Sequence, residues 1–528
     1  MPAGYLCIVL HAHLPFVRHP EYDDFMEEDW FYEAITETYL PLIEIFEGLE
    51  RDGIEWQLTM SVTPTLAAML EDPLLQSRYV RSIDNLLALM EKELVRTQTS
   101  PEFHRLAVMY YERFQRAKWL FEVKYGRNLL NGFRHWFDSG RLELITCAAT
   151  HGFLPLMAPN WNAVRAQIQV GCSEFERHFG RRPQGIWLPE CGYTPGIDHY
   201  LAEAGVRYFF TDTHGVLYAT PRPRYAVYSP ILCPGSGVAA IGRDTESSRQ
   251  VWSSLEGYPG DFVYRDFYRD VGFDLDYDYV RPHLHEVGHR THLGVKYYAI
   301  TGKTEHKQPY NRDWALNKAR EHADNFVFNR ERQIDYISQQ ISPHPPLVLA
   351  PYDAELFGHW WFEGPEFLDF VFRKLHHHHE TVQAATVPQY LGIAPRCQIA
   401  QPSYSSWGAG GYAGVWLDGA NDWIYPHLHE CANRMVALAQ MISEPGDLQR
   451  RALNQAAREL LLAQSSDWAF IMKTGTVVEY AHERTKTHVD NFLRLTRDIT
   501  HDEVDSAWLA KLEARNNLFP NIDYRVYA

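Results

Sequence analysis

Short runs of apolar residues, separated by longer segments with helical spacing, recur along the first two thirds of the chain. The first runs are Tyr5–Leu10, Trp56–Ser61 and Leu142–Cys147, and a helix-like segment from Glu33 to Leu49 lies between the first two. The order strand, helix, strand is typical of a parallel sheet with crossover helices. The hydrophobic pattern therefore predicts an α/β fold.

The same alternation continues further along the chain. It predicts the helices Trp161–Phe179, Ile197–Ala204 and Asn311–Ile341, the strand Tyr208–Thr211, and two strands that lead into Glu190 and Asp353. The intervening segment from Thr213 to Thr301 is rich in Gly, Pro, Tyr and Asp. This composition predicts long functional loops there, not regular structure.

Helical spacing without intervening strands occurs in two places. Between residues 74 and 140, apolar residues recur at helical spacing, which indicates a helical insertion. Beyond residue 395 the pattern predicts helices over roughly Asp422–Met441, Leu448–Gln464 and Val477–Arg497. We therefore expect a catalytic α/β domain over residues 1–395, with the insertion inside it, and a C-terminal helical domain over residues 396–528.

Composition limits the class of partner. The 67 acidic residues outnumber the 50 basic ones, so the formal net charge is −17 at pH 7. A chain of this charge repels a phosphate backbone, which argues against nucleic acid. Aromatic residues make up 14% of the chain, and their flat rings can stack on sugar faces as well as fill a core.

Cysteine spacing and apolar runs bear on the cellular compartment. The seven cysteines lie far apart without a CxxC pair, which argues against both a disulfide framework and a thiolate metal site. No leader pattern begins the chain, and no apolar run approaches the ~18 residues of a membrane span. We expect a cytoplasmic protein that is a monomer or a weak homo-oligomer, without membrane contact and without a metal or other cofactor.

Two of the predicted strands deliver a carboxylic acid to their ends. Pro189 marks the end of the strand before Glu190, and Pro351 precedes Asp353 in a matching context. Parallel barrels keep their reacting groups at the carboxyl ends of the strands, and two acids there can share the cleavage of a glycosidic bond. Either acid could instead cap a helix or form a salt bridge, and Glu355 competes with Asp353 for the same position.

Histidines follow two of the strands. Residues two apart in an extended segment point to the same side, so His11 and His13 can both face the barrel mouth, and His151 follows a later strand. Imidazole is also a common metal ligand, so a metal-dependent deacetylase is an alternative that loss of activity on chelation would favour. The first strand lacks the Asp expected beside such histidines in a hydrolase that uses a hard metal.

Five segments resemble the sequence blocks of glycoside hydrolase family 57. They are His11–Pro15 (HAHLP), Thr150–Pro155 (THGFLP), Trp187–Tyr193 (WLPECGY), Tyr352–Trp360 (YDAELFGHW) and Ser465–Trp468 (SSDW). The resemblance spans nearly the full chain. It implies an incomplete (β/α)7 barrel with a helical insertion and a C-terminal all-helical domain.

The resemblance also implies roles for individual residues. Glu190 would be the nucleophile and Asp353 the general acid/base. Substrate binding would involve histidines, an aspartate and several tryptophans, namely His11, His13, His151, Asp467, Trp407 and Trp416, with Trp30, Trp252 and Trp360 as further candidates. The two carboxyl groups of a retaining enzyme should lie about 5–5.5 Å apart.

Length and the Trp407–Trp416 segment look most like the family's branching enzymes, which cut an α-1,4-glucan and rejoin it as an α-1,6 branch. Small residues in this segment leave the acceptor side less defined than the cleavage site. The alternatives are a 4-α-glucanotransferase or an α-amylase of the same family, a metal-dependent polysaccharide deacetylase, and a glucan-binding protein without catalysis. No metal or nucleotide is implied.

Overall fold

The computed structural model describes residues 2–253, 256–285, 288–377, 380–393 and 396–528. Within these ranges the strands are β1 Gly4–Ala12, β2 Leu58–Val62, β3 Leu142–Cys147, β4 Gly185–Trp187, β5 Tyr208–Thr211, β6 Ile231–Leu232, β7 Ala239–Gly242, β8 Leu347–Asp353, β9 Val382–Ala384 and β10 Gln398–Ile399. They form one sheet in the order β10-β6-β7-β5-β4-β3-β2-β1-β8, with β9 also paired to β1.

Seven of these strands form an incomplete parallel barrel. The path β8-β1-β2-β3-β4-β5-β7 is parallel at every step, whereas β6 runs antiparallel to β7. Between the two ends of this path, the Asp244 N–H donates to the Leu349 carbonyl at 2.9 Å. The predicted incomplete (β/α)7 barrel is confirmed.

Helices cover the sheet and dominate the last quarter of the chain. They are α1 Asp29–Glu33, α2 Leu40–Arg51, α3 Pro64–Glu71, α4 Pro73–Arg96, α5 Pro101–Trp119, α6 Leu130–Asp138, α7 Leu154–Met157, α8 Trp161–Phe179, α9 Ile197–Glu203, α10 Thr213–Leu217, α11 Thr245–Trp252, α12 Val271–Asp274, α13 Tyr277–Val280, α14 Arg312–Ile341, α15 Gly364–His377, α16 Val387–Ile393, α17 Ile424–Met441, α18 Asp447–Ala463, α19 Ser466–Thr474, α20 Val478–His501 and α21 Ser506–Arg515. Within the described ranges, none of these helices is long and apolar enough to cross a membrane.

Helix α4 illustrates how local sequence sets these boundaries. The Asp72 side chain accepts hydrogen bonds from the backbone N–H groups of Leu74 and Leu75, and Pro73 occupies the first helical position. Helices α4 to α6 lie between β2 and β3, as the helical spacing predicted, and α17 to α20 pack together near the C-terminus. The domain boundaries themselves stay a prediction, and residue 395, at the proposed junction, lies outside the described residues.

One expectation about regular structure was wrong. The segment from Thr213 to Thr301 contains the barrel strand β7 and helix α11, although its composition predicted loops. Strand β7 has four residues with the sequence Ala-Ala-Ile-Gly, all buried, and it pairs with β5. So short a strand gives almost no periodic signal, because periodicity needs several alternations to be recognised.

Candidate active site at the barrel mouth

A cavity of about 880 Å³ opens where the carboxyl ends of the barrel strands meet the C-terminal segments. It is lined by every residue that the sequence singled out for the site, namely His11, His13, Trp30, His151, Glu190, Trp252, Asp353, Trp360, Trp407, Trp416 and Asp467. The fold therefore brings the two candidate acids to one cleft.

The register of the central strands places the first groups of the site. In the ladder, His11 lies opposite Asp353 on β8 and opposite Ser61 on β2. Because these strands are parallel neighbours, all three side chains reach the same end of the sheet. Strand pairing thus juxtaposes residues that lie far apart in sequence.

Glu190 lies in a short 3-10 turn, Pro189–Cys191, directly after β4. Its backbone is left-handed, with φ 61° and ψ 24°, and Cys191 has φ 50°. Non-glycine residues in this region are strained and are concentrated at functional sites. Trp407 Nε1 donates to Glu190 Oε2 at 2.7 Å, and the Ser466 hydroxyl donates to Oε1 at 2.8 Å.

The ionisation of Glu190 reflects two opposing influences. Burial raises the pKa of Glu190 to about 7, although the hydrogen bonds from Trp407 and Ser466 lower it. Asp467 adds a smaller effect that raises the pKa. The carboxylate is therefore the form that the protein's hydrogen bonds stabilise.

Asp353 has a different environment. Burial, followed by the charges of Glu355 and Glu190, raises the pKa of Asp353 well above its usual value, and Arg243 opposes this shift. Among the described residues, no group donates a hydrogen bond to its carboxyl group. Within the described ranges, two donors face Glu190 and none face Asp353, which favours a carboxylate at Glu190 and a proton on Asp353.

Two histidines are engaged entirely within the protein. His11 Nδ1 lies 3.2 Å from Ser61 Oγ, and His11 Nε2 lies 3.0 Å from His151 Nε2. The remaining nitrogen of His151, Nδ1, lies 2.8 Å from Ser466 Oγ. Both imidazoles line the cavity but are only 2% exposed, so the sugar-binding role implied for them stays a prediction. Their contacts connect β1 and β2 to the candidate nucleophile.

His13 forms an ion pair with Asp467 from helix α19, with Nε2 and Oδ1 3.0 Å apart. Burial alone would lower the pKa of His13, but the Asp467 carboxylate raises it overall. Burial alone would likewise raise the pKa of Asp467, but His13 lowers it to about 2. The pair therefore favours a protonated His13 and an ionised Asp467 at the cavity wall.

The tryptophans differ in what they offer a ligand. Trp360 is 54% exposed, with one face stacked on Phe267 at 4.2 Å between ring centroids, so its other side is open. Trp416 is 1% exposed and stacks on Phe153 at 5.1 Å. Trp416 therefore offers a ligand far less surface than Trp360, and its platform role stays a prediction.

Trp407 has a second function besides lining the cavity. Its backbone N–H donates to the Glu190 carbonyl at 2.9 Å, and its indole N–H holds the carboxylate. The glycines that follow, Gly408 and Gly411, have φ of 80° and 75°, a conformation that only glycine adopts without strain. The small residues in this segment therefore form the tight loop that carries Trp407 to Glu190. Trp30 and Trp252 are partly exposed in the same cavity.

Sequence reasoning missed several groups that the structure brings to the site. Ser466 and Arg243 were not singled out, although Ser466 lies within the SSDW block beside Asp467. Glu355 was considered as a rival acid; it accepts hydrogen bonds from the Tyr39 hydroxyl and from the His13 backbone N–H. The SSDW block includes Ser466 without indicating its contact with Glu190, and no local pattern marks Arg243, because the significance of both depends on contacts with distant residues.

Among the described residues, two groups of side chains could hold a metal ion. They are His11, Cys147 and His151, and the partly overlapping set His13, His151 and Asp467. In both sets the histidine nitrogens already have protein partners. The metal-dependent alternative therefore has candidate ligands but would require these hydrogen bonds to rearrange.

The different environments of the Glu190 and Asp353 carboxyl groups predict a bell-shaped pH dependence of kcat/KM. The nucleophile role that the resemblance implies for Glu190 requires its carboxylate, so in that role activity should fall as the pH drops below about 7. The general-acid role implied for Asp353 requires its acid form, so in that role activity should fall again at higher pH, above the raised pKa of Asp353. Initial rates on amylose across the pH range would measure both limbs, and full activity at pH 4 would contradict this assignment.

The mouth of this parallel barrel holds two carboxyl groups in different environments. This arrangement is typical of glycoside hydrolases that use a pair of carboxyl groups. A model of glycosyl hydrolase family 57 matches residues 7–400, and the chain belongs to this family. A second model, described as the C-terminal region of 1,4-alpha-glucan branching enzymes, matches residues 427–527.

Individual relatives agree with the family assignment. A 1,4-alpha-glucan branching enzyme from Thermococcus kodakarensis is 34% identical over 98% of this chain and 77% of its own length. The structure of the α-amylase AmyC from Thermotoga maritima is 45% identical, with a TM-score of 0.93 over 99% of both chains. A branching enzyme structure from Pyrococcus horikoshii is 31% identical, with a TM-score of 0.88 over 99% of this chain and 97% of that one.

Proposed function

We propose that the chain is a 1,4-α-glucan branching enzyme that works by a retaining mechanism with two carboxyl groups. The observation that carries the proposal is the single cavity that contains Glu190 and Asp353 and is completed by Trp407 and Asp467 from the C-terminal segments. The match of residues 427–527 to a branching-enzyme model and the 34% identity to a named branching enzyme support it.

In the first half of the reaction, the Glu190 carboxylate attacks the anomeric carbon of the bound α-1,4-glucan. The bond from that carbon to the glycosidic oxygen breaks, and Asp353 gives its proton to the departing oxygen. One chain fragment leaves with a new hydroxyl end, and the other is attached to Glu190 as an ester. We expect the two carboxyl groups to lie about 5–5.5 Å apart for this step.

In the second half, Asp353 is a carboxylate and takes the proton of an incoming hydroxyl. The oxygen of that hydroxyl attacks the same carbon and displaces Glu190, which restores both acids. A glucan 6-hydroxyl gives an α-1,6 branch, whereas water gives hydrolysis. Trp360 and Phe470, which line the cavity and are 54% and 45% exposed, are suited to hold an acceptor chain.

Hydrolysis is the second candidate function. The α-amylase AmyC is more similar to this chain, at 45% identity, than the two branching enzymes described above. Both functions use the same acids and differ only in the acceptor that reaches the covalent intermediate. A direct measurement of the product is therefore needed to separate them.

The decisive experiment incubates the purified protein with amylose. Proton NMR counts new α-1,6 linkages, and a reducing-end assay counts hydrolysis events in the same samples. We expect α-1,6 linkages to exceed new reducing ends, because each transfer conserves the number of reducing ends whereas each hydrolysis adds one. Reducing ends without α-1,6 signals would instead identify an amylase.

The sequence also supports a proposal for the cellular role, the compartment and the partners of the protein. We propose a role in glycogen-type glucan synthesis in the cytoplasm, with α-1,4-glucan as partner and neither nucleic acid nor membrane involved, in agreement with the net charge of −17. The protein would be a monomer or a weak homo-oligomer. We also propose the division into a catalytic domain over 1–395, with its insertion at 74–140, and a helical domain over 396–528.

A further inference from the structure

The hydroxyl of Ser466 lies between the candidate nucleophile and a buried histidine. It is 2.8 Å from Glu190 Oε1 and 2.8 Å from His151 Nδ1, at the first residue of helix α19. Ser466 itself is 3% exposed. A hydroxyl has one proton to donate, so its direction decides whether it supports or opposes a charge on Glu190.

The backbone around Ser466 is fixed against the barrel. Its N–H donates to the His151 carbonyl at 3.0 Å, and Gly152 forms an antiparallel bridge with Ser465. His151 has a left-handed backbone with φ 58°. Strain of this kind persists only where the surrounding structure holds it, so the loop after β3 and the start of α19 form one unit.

The direction of each proton in this cluster follows from Glu190. An ionised carboxylate only accepts, so Ser466 must donate to it, and Ser466 must then accept from His151 Nδ1. Burial, with the charges of His13 and His11, keeps the pKa of His151 well below its usual value, so this ring is neutral. A neutral imidazole with a proton on Nδ1 has an acceptor at Nε2.

The same argument extends to the next ring and ends on β2. Because His151 Nε2 is an acceptor, His11 Nε2, which lies 3.0 Å away, must carry a proton and donate it to this hydrogen bond. Burial lowers the pKa of His11 as well, so its Nδ1 is an acceptor, and the Ser61 hydroxyl donates to it at 3.2 Å in preference to the Thr146 carbonyl at 3.5 Å. In this arrangement each hydrogen bond of the series has one donor and one acceptor, and no two protons point at each other.

We propose that Ser466 is a positioning residue for Glu190, and that the series Ser61, His11, His151 and Ser466 fixes the direction of its hydroxyl so that the nucleophile stays ionised. This inference rests on the proposed role of Glu190. It assigns His11 and His151 to the support of the nucleophile in place of contact with sugar. It also makes the start of α19, outside the barrel, a required part of the nucleophile site.

The test compares Ser466→Ala with Ser466→Thr, which keeps a hydroxyl, and with Ser77→Ala, an exposed serine on helix α4. The substrate is α-maltosyl fluoride, because fluoride leaves without protonation and the acidic limb of kcat/KM then reports Glu190. A hydrogen bond to a charged group is strong enough to change a pKa by about one unit. Its loss raises the pKa of Glu190, so the acidic limb of Ser466→Ala should move about one pH unit higher.

The Thr variant should keep the limb near its wild-type position, and Ser77→Ala should not change it. A loss of rate in Ser466→Ala that is equal at every pH, or no change at all, would overturn the proposal. Thermal unfolding of each variant identifies a misfolded sample. If amylose gave no α-1,6 linkages, the proposed branching activity would fail while this fluoride experiment would stay informative.

The direction of the series has its own test. His151→Asn keeps an N–H near the position of Nδ1, and Asn tolerates a left-handed backbone, whereas His151→Leu has no donor. We expect His151→Asn to hold the acidic limb closer to the wild-type pH than His151→Leu does. Equal shifts, or a larger shift in His151→Asn, would contradict the assignment of the proton to Nδ1.

Discussion

Replacement of Glu190 with Gln is expected to abolish turnover of amylose while glucan binding survives. An amide cannot form the covalent bond to the anomeric carbon, so kcat should fall by roughly 10³-fold or more. The shape of the side chain is kept, and its oxygen can still accept from Trp407 Nε1. Initial rates of amylose conversion and calorimetric titration with a malto-oligosaccharide would measure the two effects separately.

The matched control is Glu91→Gln, which makes the same change at an exposed position on helix α4 and should leave the rate unaltered. Thermal unfolding should show that both variants are folded. The neutral amide at position 190 also removes a carboxylate whose burial raises its pKa to about 7, so loss of stability is not expected at alkaline pH. Retained turnover in Glu190→Gln would refute the nucleophile assignment.

Replacement of Asp353 with Asn should reduce turnover of amylose by about 10²- to 10⁴-fold, the usual contribution of a general acid/base. The loss should be much smaller for the first step on α-maltosyl fluoride, because the fluoride ion needs no proton to leave. Release of fluoride, compared with cleavage of amylose by the same variant, measures this difference. Azide, which attacks without a general base, should restore turnover and give a glycosyl azide of unchanged configuration.

Glu355→Gln distinguishes the two acids that follow β8. The Glu355 Oε1 atom accepts hydrogen bonds from the Tyr39 hydroxyl and the His13 backbone N–H, and such bonds favour the carboxylate over a proton donor, whereas Asp353 has none among the described residues. In Glu355→Gln, unlike Asp353→Asn, we expect no preference for α-maltosyl fluoride over amylose. We also expect azide not to restore its turnover. If Glu355→Gln showed this preference and this rescue, and Asp353→Asn did not, the roles assigned to the two residues would be exchanged.

Much of this site can be predicted from the sequence for a simple reason. A buried strand is recognised from a run of apolar residues, and the residue after it must lie at the end of the strand. This argument places Glu190 and Asp353 at one edge of a parallel sheet, and the structure brings both to one cavity. The same reasoning predicted the long helix before β8 to within one residue at its start.

Other features depend on contacts that no local pattern records. Strand β7 was missed because four residues are too few to show a period. Trp416 and Trp360 are the same residue type near the same cleft, yet one is 1% and the other 54% exposed. Aromatic composition predicts that such rings exist but not which of their faces the fold covers.

The sequence alone determined the class of fold, the carboxylic acids at the strand ends and the family, because these follow from residue type, local periodicity and short motifs. Only the tertiary structure decided how the two acids differ. Glu190 is held by Trp407 and Ser466, which lie 217 and 276 positions away, whereas burial, followed by the charges of Glu355 and Glu190, raises the pKa of Asp353 well above its usual value. Burial and hydrogen-bond partners set the acidity of a carboxyl group, and both are properties of the folded chain.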